Sequence, residues 1–516
     1  MKKYIIGTRG SLLAVTQTTL VKEILERQSN ACFELEIIKT EGDENTTLPL
    51  WQMDGKDFFS KELDAALLSG KVDLVVHSYK DLGSERPAGL APPILPARSF
   101  PHDIVLFRPE IASQIGKGLS ELKIGTSSPR RMTNIETHLH EYLPSAAHIN
   151  LRCVALRGNV NTRLEKLRRG EFDAIVLALA GLERLASAKQ AAAAIQPLLT
   201  GLSYIVLPQS QFPSAASQGA LALVCAAERS DDGELWRLLK TIDDPNTQST
   251  VARERQAFRA YGGGCHLAVG IHCRRLGTSP YAVEYHVGQI DHQPIKRCEI
   301  LPNQRPKRPS GSIFLGLSPS KAQERYPGFL YDELLTKVPA NLARTPRSGH
   351  FWVTSDHCLA ALEQSYTSGP IWAAGDKTWK RLVSNGYWVN GSSDSLGDAE
   401  LETLARSKAL AMLSGNLPWF VLTADGSHSA VGSVIGAYHR EWSTPTDAQA
   451  EAIAACNVYY WTSFPQFELY ARDIPQILAP EKIHCCGIGK TLLRFSEKNV
   501  PVLPFVDISD FTSWLG

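Results

Sequence analysis

The first 240 residues alternate short apolar runs with amphipathic stretches. Apolar runs at 5–9 (IIGTR), 35–40 (LEIIKT) and 72–78 (VDLVVHS) predict strands, because each is short and ends in glycine or polar residues. Between them, apolar residues recur at helical spacing from Ser11, a typical N-cap residue, to Gln28, and again over 58–68. Strands joined by helices in this order are typical of an α/β fold.

The same pattern comes a second time further along the chain. A strand is predicted at 123–128 (KIGTSS), a helix at 162–169, and a strand with the start of a helix at 172–182 (FDAIVLALAGL). The runs VDLVVHS and FDAIVLALA each follow a helix that ends at a glycine, Gly70 in one case and Gly170 in the other. We therefore expect two similar α/β domains, each with a mostly parallel sheet that has helices on both sides.

The rest of the chain contains two further regions. Residues 241–302 carry a glycine run and an alternating strand pattern at 282–290 (AVEYHVGQI), which predicts a small α+β module. The basic, proline-rich stretch 303–312 is typical of a linker, and 343–350 is a second candidate joint. A further α/β region follows, with strands predicted near 351–355, 370–375, 418–424, 458–463 and 483–489.

Composition excludes several classes of protein. With 516 residues, 43% hydrophobic and 21% charged, the chain is long enough for three or four folded domains. A net charge of +1 argues against a general nucleic-acid or membrane-surface binder. The ten cysteines form no CxxC pair and no zinc-like Cys/His cluster, so we expect reduced thiols and no metal site. Arg9 and Gly10 interrupt the apolar N-terminus before a signal-peptide core can form, which predicts a cytoplasmic protein.

Arginines stand where the predicted strands of the first half end. In open α/β sheets the carboxyl ends of the strands form the ligand crevice, and guanidinium groups bind carboxylates and phosphates in bidentate fashion. The sequence therefore predicts a site for an anion with several carboxylates or phosphates. The arginines concerned are Arg9, Arg130, Arg131, Arg157, Arg163 and Arg184, and the hydroxyl groups beside them are those of Ser11, Ser78, Thr126, Ser127 and Ser128.

Three further side chains have two interpretations each. Asp81, in HSYKD (77–81), could orient an N–H group and stabilise a cation, or it could cap a helix beside Lys80. Cys265, after three glycines, could be an accessible nucleophile or an ordinary core cysteine. Lys56 could add positive charge to the site or be an exposed helix lysine.

Eight motifs in a fixed order give the first 300 residues a specific resemblance. They are GTRGSLLAVTQ (7–17), KELDAALL (61–68), HSYKDL (77–82), IGTSSPRR (124–131), LRGNVNTRLEKL (156–167), FDAIVLALAGLERL (172–185), SQGALAL (217–223) and GGGCHLAVG (262–270). This order and spacing resembles the porphobilinogen deaminase, or hydroxymethylbilane synthase, family. The resemblance implies two periplasmic-binding-protein-like α/β domains, at 1–100 with 218–240 and at 101–217, and a small α+β domain at 241–310.

The resemblance also implies a reaction and the residues that perform it. Members of the family join four porphobilinogen molecules into hydroxymethylbilane on a dipyrromethane primer and release ammonia at each step. The primer is held by a thioether to a cysteine that matches Cys265, and Asp81 and Lys80 match catalytic residues. The implied cofactor ligands are Lys80, Asp81, Ser128, Arg130, Arg131, Arg157, Arg163, Arg184, Gln218 and Gly219, and the implied substrate ligands are Arg9, Ser11, Lys56, Arg157 and Arg163. One departure is Ser217, which stands where the family has glycine.

Residues 311–516 resemble uroporphyrinogen III synthase, a two-lobed α/β family whose substrate is hydroxymethylbilane. The resemblance rests on a strand that ends in Thr-Ser before a helix, and on a Gly-x-(Lys)-Thr stretch that opens another helix, both found at 353–388 and at 460–502. The joint lies within 303–350, where 313–319 (IFLGLSP) predicts a first strand and 331–338 (YDELLTKV) could instead be a last helix of the deaminase part. Candidate binding residues at helix N-termini are Thr354, Ser355, Thr462, Ser463, Lys490 and Thr491.

Three functions remain open on the sequence alone. The first is a monomeric bifunctional enzyme that makes hydroxymethylbilane and cyclises it to uroporphyrinogen III. The second is the deaminase alone, with a degenerate C-terminal half. The third is an anion-binding protein of the periplasmic type, against which the cysteine after three glycines argues. A nucleic-acid partner is not expected, because the chain has no excess of positive charge.

Overall fold

The computed structural model describes residues 2–40, 60–83, 86–115, 117–144, 149–264 and 267–516. The chain divides into two compact units. Unit 1 consists of Met1–Cys273, Tyr285–Arg297 and Leu404–Asn416, and unit 2 consists of Arg274–Glu284, Cys298–Thr403 and Leu417–Gly516. Within the described ranges, the structure has no helix with both the length and the apolar character needed to cross a membrane.

The first part of unit 1 alternates strands and helices. The strands are β1 (Lys3–Thr8), β2 (Cys32–Ile37), β3 (Leu74–Ser78), β4 (Asp103–Phe107), β5 (Glu121–Gly125), β6 (Asn150–Val154), β7 (Ala174–Ala178), β8 (Ser203–Val206) and β9 (Leu221–Val224). The helices are α1 (Leu12–Gln28), α2 (Lys61–Leu68), α3 (Pro109–Gln114), α4 (Pro129–His138), α5 (Val160–Arg168), α6 (Leu179–Ser187), α7 (Lys189–Leu199), α8 (Glu234–Lys240) and α9 (Pro245–Ala260).

These strands form two sheets with the same internal pattern. The first has the order β2-β1-β3-β9 and the second the order β6-β5-β7-β4-β8. In each, a central strand, β1 or β5, lies parallel to both neighbours, and the strand on the far side of β3 or β7 is antiparallel. The prediction of mostly parallel α/β sheets in this part of the chain is therefore confirmed.

A repeated side-chain contact shows that β3 and β7 are equivalent. Just before β3, the Asp73 carboxylate accepts a hydrogen bond from the backbone N–H of Ile5 (2.8 Å). Just before β7, Asp173 accepts one from the N–H of Lys123 (2.9 Å). Each aspartate thereby fixes the register of its strand against the central strand of its sheet, as the matching runs VDLVVHS and FDAIVLALA predict.

The observed bounds of α1 agree closely with those predicted from the sequence, and the bounds of β2 agree less well. Ser11 caps α1, because its Oγ accepts a hydrogen bond from the N–H of Ala14 (3.3 Å), and the helix ends at Gln28 as predicted. The predicted strand 35–40 is displaced, since the observed strand is Cys32–Ile37. The apolar run extends beyond the strand because Ile38 packs against Gly7 in the sheet.

Three strands after α9 form a separate small sheet. They are β10 (Ala268–Arg275), β11 (Ala282–Ile290) and β12 (Gln293–Leu301), in that order across the sheet. The strand predicted at 282–290 has these bounds. With α9, this sheet forms the predicted α+β module, while the domain limits proposed from the sequence stay predictions.

The remaining elements follow from residue 313 onward. The strands are β13 (Ile313–Leu315), β14 (Leu330–Tyr331), β15 (Leu335–Pro339), β16 (Arg347–Ser348), β17 (His350–Val353), β18 (Tyr366–Ser368), β19 (Ile371–Ala373), β20 (Val389–Ser392), β21 (Trp419–Ala424), β22 (Ser433–Trp442), β23 (Val458–Trp461), β24 (Ile483–Gly487) and β25 (Leu503–Phe505). The helices are α10 (Pro319–Ala322), α11 (Leu359–Ser365), α12 (Asp376–Ser384), α13 (Asp398–Ala405), α14 (Lys408–Ser414), α15 (Asp447–Ala454), α16 (Phe464–Asp473), α17 (Lys490–Glu497) and α18 (Ile508–Leu515).

Unit 2 contains two main sheets, and the connection is interrupted because the chain builds the first sheet in two separate parts. One has the order β14-β13-β23-β24-β25 and is parallel throughout, and the other has the order β15-β22-β21-β17-β19-β20. The chain forms β13 and β14 of the first sheet, builds the whole second sheet, and then returns to complete the first.

The proposed helix at 331–338 is wrong. Residues Leu335–Pro339 form an edge strand that pairs antiparallel with β22. The carboxylate of Asp332 accepts hydrogen bonds from the N–H groups of Leu334 (3.1 Å) and Leu335 (3.0 Å), which turns the chain where a helix would have continued. The strand predicted within 313–319 is confirmed as β13.

Both copies of the paired C-terminal signature have the local structure that the sequence predicts. Strand β17 ends before Thr354-Ser355 and strand β23 ends before Thr462-Ser463, and each serine Oγ accepts a hydrogen bond from a backbone N–H at the start of the following helical segment. Gly375 and Gly489 immediately precede α12 and α17.

A tight turn, Ser217-Gln218-Gly219, returns the chain from the second sheet of unit 1 to the first. Ser217 has a φ of +67° and Gly219 a φ of +89°. A side chain at Gly219 would place its Cβ 2.5 Å from the carbonyl oxygen of Ser99 on the neighbouring crossover, so only glycine fits there. Ser217 is buried, and its backbone also has a left-handed conformation, which is costly for a residue with a Cβ atom.

We predict that Ser217→Gly stabilises the protein. The left-handed φ costs a residue with a side chain about 1–2 kcal/mol, and within the described ranges the buried Oγ of Ser217 has no hydrogen-bond partner. Glycine loses more chain entropy on folding, so we expect a net gain of about 0.5–1 kcal/mol in the free energy of unfolding, measured by denaturant titration. Ser217→Ala, which removes the hydroxyl but keeps Cβ, should gain less. A less stable glycine variant would contradict the argument.

Candidate active site

A cavity of about 600 Å³ opens in unit 1 at the carboxyl ends of strands from both sheets. Its wall is formed by residues that follow β1, β3, β6 and β7 and by the 217–219 turn. Such a cavity falls within the size range of small-molecule sites, and this edge of an α/β sheet is the usual position for one. Of the side chains singled out in the sequence, the cavity wall contains Arg9, Ser11, Ser78, Lys80, Asp81, Arg131, Arg157, Arg163, Arg184, Gln218 and Gly219.

Lys80 and Asp81 reach the cavity because the chain turns sharply after β3. Residues Tyr79–Asp81 form one turn of 3₁₀ helix, and the N–H of Tyr79 donates to the carbonyl of Ala220 (3.0 Å). Arg255 on α9 supports this turn from behind. Its guanidinium donates to the carbonyls of Tyr79 (3.3 Å), Leu82 (3.2 Å) and Gly83 (2.8 Å) and stacks on the Tyr79 ring at 4.4 Å.

Lys80 has a perturbed ionisation. Its Nζ donates to Oε1 of Gln218 at 3.2 Å. Burial in the surrounding protein lowers the pKa of Lys80 to about 8, the negative charge of Asp81 partly opposes this, and the nearby Arg131 lowers the pKa further. Lys80 therefore loses its proton more readily than an ordinary lysine.

Asp103, at the start of β4, binds two of the predicted arginines. Its carboxylate lies 2.8 Å from Nη2 of Arg130 and 2.7 Å from Nη2 of Arg131, and it accepts a hydrogen bond from Nε2 of Gln218 (2.8 Å). Burial acts to raise the pKa of Asp103, but the two guanidinium groups outweigh it and hold that pKa well below its usual range. Asp103 thus connects the start of α4 to the 217–219 turn.

Two predicted cofactor ligands lie behind the cavity wall. Arg130 is buried, pairs with Asp103 and donates to the carbonyl of Pro213 (3.0 Å). Ser128 caps α4 through a hydrogen bond that its Oγ accepts from the N–H of Arg131 (3.5 Å). Neither side chain is part of the cavity wall, and each contacts residues that are, or that hold them in place.

Arg184 and Arg163 bring positive charge to the cavity and donate to neutral acceptors. Arg184 donates to the carbonyl of Gly219 (2.8 Å) and to Oε1 of Gln17 (3.4 Å), and Arg163 donates to the carbonyl of Gly158 (2.7 Å). Burial lowers the pKa of each arginine to about 10, and the charge of Asp81 opposes this in both cases. A bound carboxylate would supply the counter-charge that these guanidinium groups need.

The other predicted residues divide between the wall and the undescribed parts of the chain. Arg9, Ser11 and Arg157 line the cavity, and burial lowers the pKa of Arg157. Lys56 and Cys265 lie outside the described residues. The three glycines at 262–264, which end at Cys265, all have positive φ values, so the chain turns after α9 in a way that only glycine adopts without strain.

Sequence reasoning missed the residues that hold the site from outside its wall. Glu254 on α9 forms a bidentate pair with Arg98 (2.7 and 3.0 Å) and accepts a hydrogen bond from the N–H of Ser217 (2.7 Å). Arg98 also donates to the carbonyl of Gln218 (2.8 Å). Arg98, Glu254 and Arg255 follow no predicted strand, so no signal of the kind used for the cavity arginines could have found them.

A second, smaller cavity of about 180 Å³ lies in unit 2, where β17, β19, β20 and β21 end. Of the six C-terminal candidates it contains Thr354 and Lys490, and Lys490 Nζ donates to Oδ1 of Asp398 (3.1 Å). Ser355 and Ser463 act as helix caps, and the hydroxyls of Thr462 and Thr491 donate to the carbonyls of Gly316 (3.1 Å) and Thr462 (3.3 Å). Polar wall residues that were not predicted are Ser393, Ser395, Thr423, Ser427, His428 and Ser429.

Comparison with known proteins adds an independent result. A family model described as "Porphobilinogen deaminase, dipyromethane cofactor binding domain" matches residues 4–234. The porphobilinogen deaminase of Syntrophobacter fumaroxidans is 36% identical over 298 residues, which are 57% of this chain and 86% of that protein. That of Gloeobacter violaceus is 33% identical over 325 residues, 62% of this chain and 91% of that protein.

Similarity to solved structures is much weaker. The effector-binding domain of BenM with benzoate aligns with 51% of this chain and 95% of its own, at 14% identity and a TM-score of 0.26. That score is too low to carry an argument, so the description of the fold depends on the strand order given above.

Proposed function

The chain belongs to the porphobilinogen deaminase family, and from this premise we propose how its first cavity works. The activity of the family is that of hydroxymethylbilane synthase in tetrapyrrole synthesis, and its cofactor is dipyrromethane. The observation that carries our assignment of residues is that Arg184, which is buried, and Arg163, which is half-buried, line the cavity and donate to neutral acceptors.

The cavity fits a dipyrromethane group in size and in charge. Two pyrrole rings with acetate and propionate arms carry four carboxylates, and the wall presents Arg131, Arg157, Arg163 and Arg184. A volume of about 600 Å³ suits a ligand of that size. These four arginines would hold the carboxylates, while Arg130 and Ser128 act indirectly, through Asp103 and the start of α4. When bound through Cys265, the group supplies a nucleophilic pyrrole carbon as the primer.

Asp81 is the residue that we assign to the chemical step. It lines the cavity beside Lys80, and its charge acts on Arg163 and Arg184. There it can accept hydrogen bonds from the pyrrole N–H of porphobilinogen and stabilise the positive charge that develops on that substrate as ammonia leaves. Arg9 and Ser11, with Lys56, would bind the carboxylates of the incoming substrate.

We further propose that unit 2 cyclises hydroxymethylbilane to uroporphyrinogen III. Three features support this: two α/β sheets with an interrupted connection, the duplicated Thr-Ser and Gly-x-(Lys)-Thr signatures, and a polar cavity at the strand ends that contains Thr354 and Lys490. The substrate of this reaction is the product of the first.

One observation favours a non-catalytic second half as the alternative. The unit 2 cavity is about 180 Å³, which is smaller than typical ligand pockets, and Lys490 in its wall is paired with Asp398. A linear tetrapyrrole would need this pair to part, whereas a degenerate domain would keep it.

We predict different outcomes for two variants in the deaminase site. The intact mass of the purified chain should exceed its sequence mass by two porphobilinogens less two ammonias. Cys265→Ser should fold but lack the added mass and the activity, because the thioether cannot form. Asp81→Ala should keep the added mass and lose about 10²–10³-fold in kcat, because it removes charge stabilisation in the transition state. Added mass in the Cys265→Ser chain, or normal turnover in Asp81→Ala, would contradict these assignments.

We predict that the KM for porphobilinogen rises between pH 7 and pH 9, because the ammonium group of Lys80, in the cavity wall beside Asp81, would attract the carboxylates of the incoming substrate. With a pKa of about 8, the charged fraction of Lys80 falls about tenfold over this range, while the carboxylates of the substrate stay ionised. Lys80→Arg keeps its charge and should remove most of the rise, and Lys80→Met should have a high KM at both pH values. An equal rise in the Lys80→Arg and unaltered chains would assign the titration to another group.

We predict that the chain converts porphobilinogen to the type III isomer, analysed after oxidation of the products. Lys490→Ala and Thr354→Val should raise the share of type I isomer, which forms without enzymatic cyclisation, and leave the rate of ammonia release unchanged. Thr336→Val, on the edge strand β15 and outside the cavity wall, is a matched control. Type I product alone from the unaltered chain would establish the non-catalytic alternative.

A further inference from the structure

One helix of the C-terminal part of the chain belongs to unit 1. Residues Leu404–Asn416, which include α14, group with the deaminase part of the chain and not with the residues on either side of them in sequence. Helix α14 packs against α6 and α7, and Ser407, Ala409 and Leu410 are buried. None of the sequence patterns predicts this placement.

A single carboxylate fixes the start of α14. Glu183 on α6 accepts hydrogen bonds from the Oγ of Ser407 (2.7 Å) and from the backbone N–H groups of Ala409 (3.1 Å) and Lys408 (3.2 Å). Ser407 Oγ in turn accepts from the N–H of Leu410 (3.2 Å). Glu183 therefore satisfies N–H groups that a helix start would otherwise leave unpaired.

The next residue on α6 is the cavity arginine Arg184. Successive residues of an α-helix project about 100° apart, so Glu183 and Arg184 leave α6 in different directions. Glu183 meets α14, and Arg184 donates to Gly219 and Gln17 at the cavity wall. Helix α6 spans only Leu179–Ser187, and it begins without a side-chain cap. The polar contacts on its two sides therefore fix its rotation together with its apolar packing against α1, α7 and β7.

We propose that Glu183 is a positioning residue for Arg184, and that residues 404–416 thereby contribute to carboxylate binding in the deaminase cavity. The inference rests on the proposed role of Arg184, which we extend from the carboxylates of the primer to those of the porphobilinogen that adds to it. Without the contact to α14, a rotation of α6 would move the guanidinium away from Gly219 and out of line with a ligand carboxylate.

The test compares two ways of loosening α14 in the full-length holoenzyme. Glu183→Ala removes the contact on the Arg184 helix. Gln196→Ala is the matched control, because Gln196 on α7 donates to the carbonyl of Met412 (3.3 Å) and so contacts the same helix through a hydrogen bond that does not involve α6. We expect Glu183→Ala to raise the KM for porphobilinogen about fivefold to tenfold with kcat within about twofold, and Gln196→Ala to leave both unchanged.

Two further measurements separate positioning from stability alone. Hydrogen exchange of α6 should increase in Glu183→Ala and not in Gln196→Ala. Glu183→Gln, whose amide oxygen can still accept from the α14 N–H groups, should restore KM to within about twofold of the unaltered chain. If Glu183→Ala does not fold, Ser407→Ala, which removes one of the three donors, should give a smaller change in the same direction.

Arg184→Gln, measured in parallel, separates the proposed role of Arg184 from the positioning role of Glu183. If it raises KM and Glu183→Ala does not, the positioning role of Glu183 is overturned while the role of Arg184 stands. If Arg184→Gln leaves KM unchanged, both are overturned. Equal effects of Glu183→Ala and Gln196→Ala on KM would also overturn the inference, since they would reduce it to general stability.

Discussion

The turn Ser217-Gln218-Gly219 is the constraint on which the deaminase site depends. Its backbone is bound at three points: the N–H of Ser217 donates to Glu254, and the carbonyls of Gln218 and Gly219 accept from Arg98 and Arg184. The side chain of Gln218 forms hydrogen bonds with Asp103 and Lys80. The turn is also the return crossover between the two sheets of unit 1. Residues from both sheets and from α9 thus have their positions fixed against one short piece of backbone, which explains why a strained residue such as Ser217 is held there.

The arginines of the first half perform two different tasks that their sequence positions do not distinguish. Arg130, Arg131 and Arg184 all follow predicted strands. Arg130 pairs with Asp103 and donates to the carbonyl of Pro213. Arg131 also pairs with Asp103, but it lines the cavity wall. Arg184 lines the wall and donates to neutral acceptors. The difference arises from Asp103, a single buried carboxylate whose partners are set by the tertiary fold. A sequence pattern can therefore predict that a cleft is positively charged, but it does not predict which of the arginines is available to bind a ligand.

Of the nine strands β1–β9, five were predicted, β2 with displaced bounds, because each is a short apolar run that ends in glycine or polar residues, whereas β4, β6, β8 and β9 were not. The equivalence of β3 and β7 follows from their matching sequences. The helix expected at 331–338 was wrong because Asp332, whose other partners include Gln466 and Tyr470, directs the local chain into a turn. Arg98, Glu254 and Arg255 were missed for a related reason. Their function is to hold backbone that is distant in sequence, and no local periodicity records such a contact.

The order of residues along this chain is not the order of its structural units. Residues 404–416 lie between strands β20 and β21 of a unit 2 sheet, yet they pack in unit 1 against the helix that carries Arg184. A chain with two fully independent halves could lose its C-terminal part with no effect on the deaminase cavity. Here the carboxylate of Glu183 binds the start of α14, and the adjacent residue, Arg184, lines the cavity. Residues 404–416 are therefore constrained by the structure of unit 1, although both of their sequence neighbours belong to unit 2.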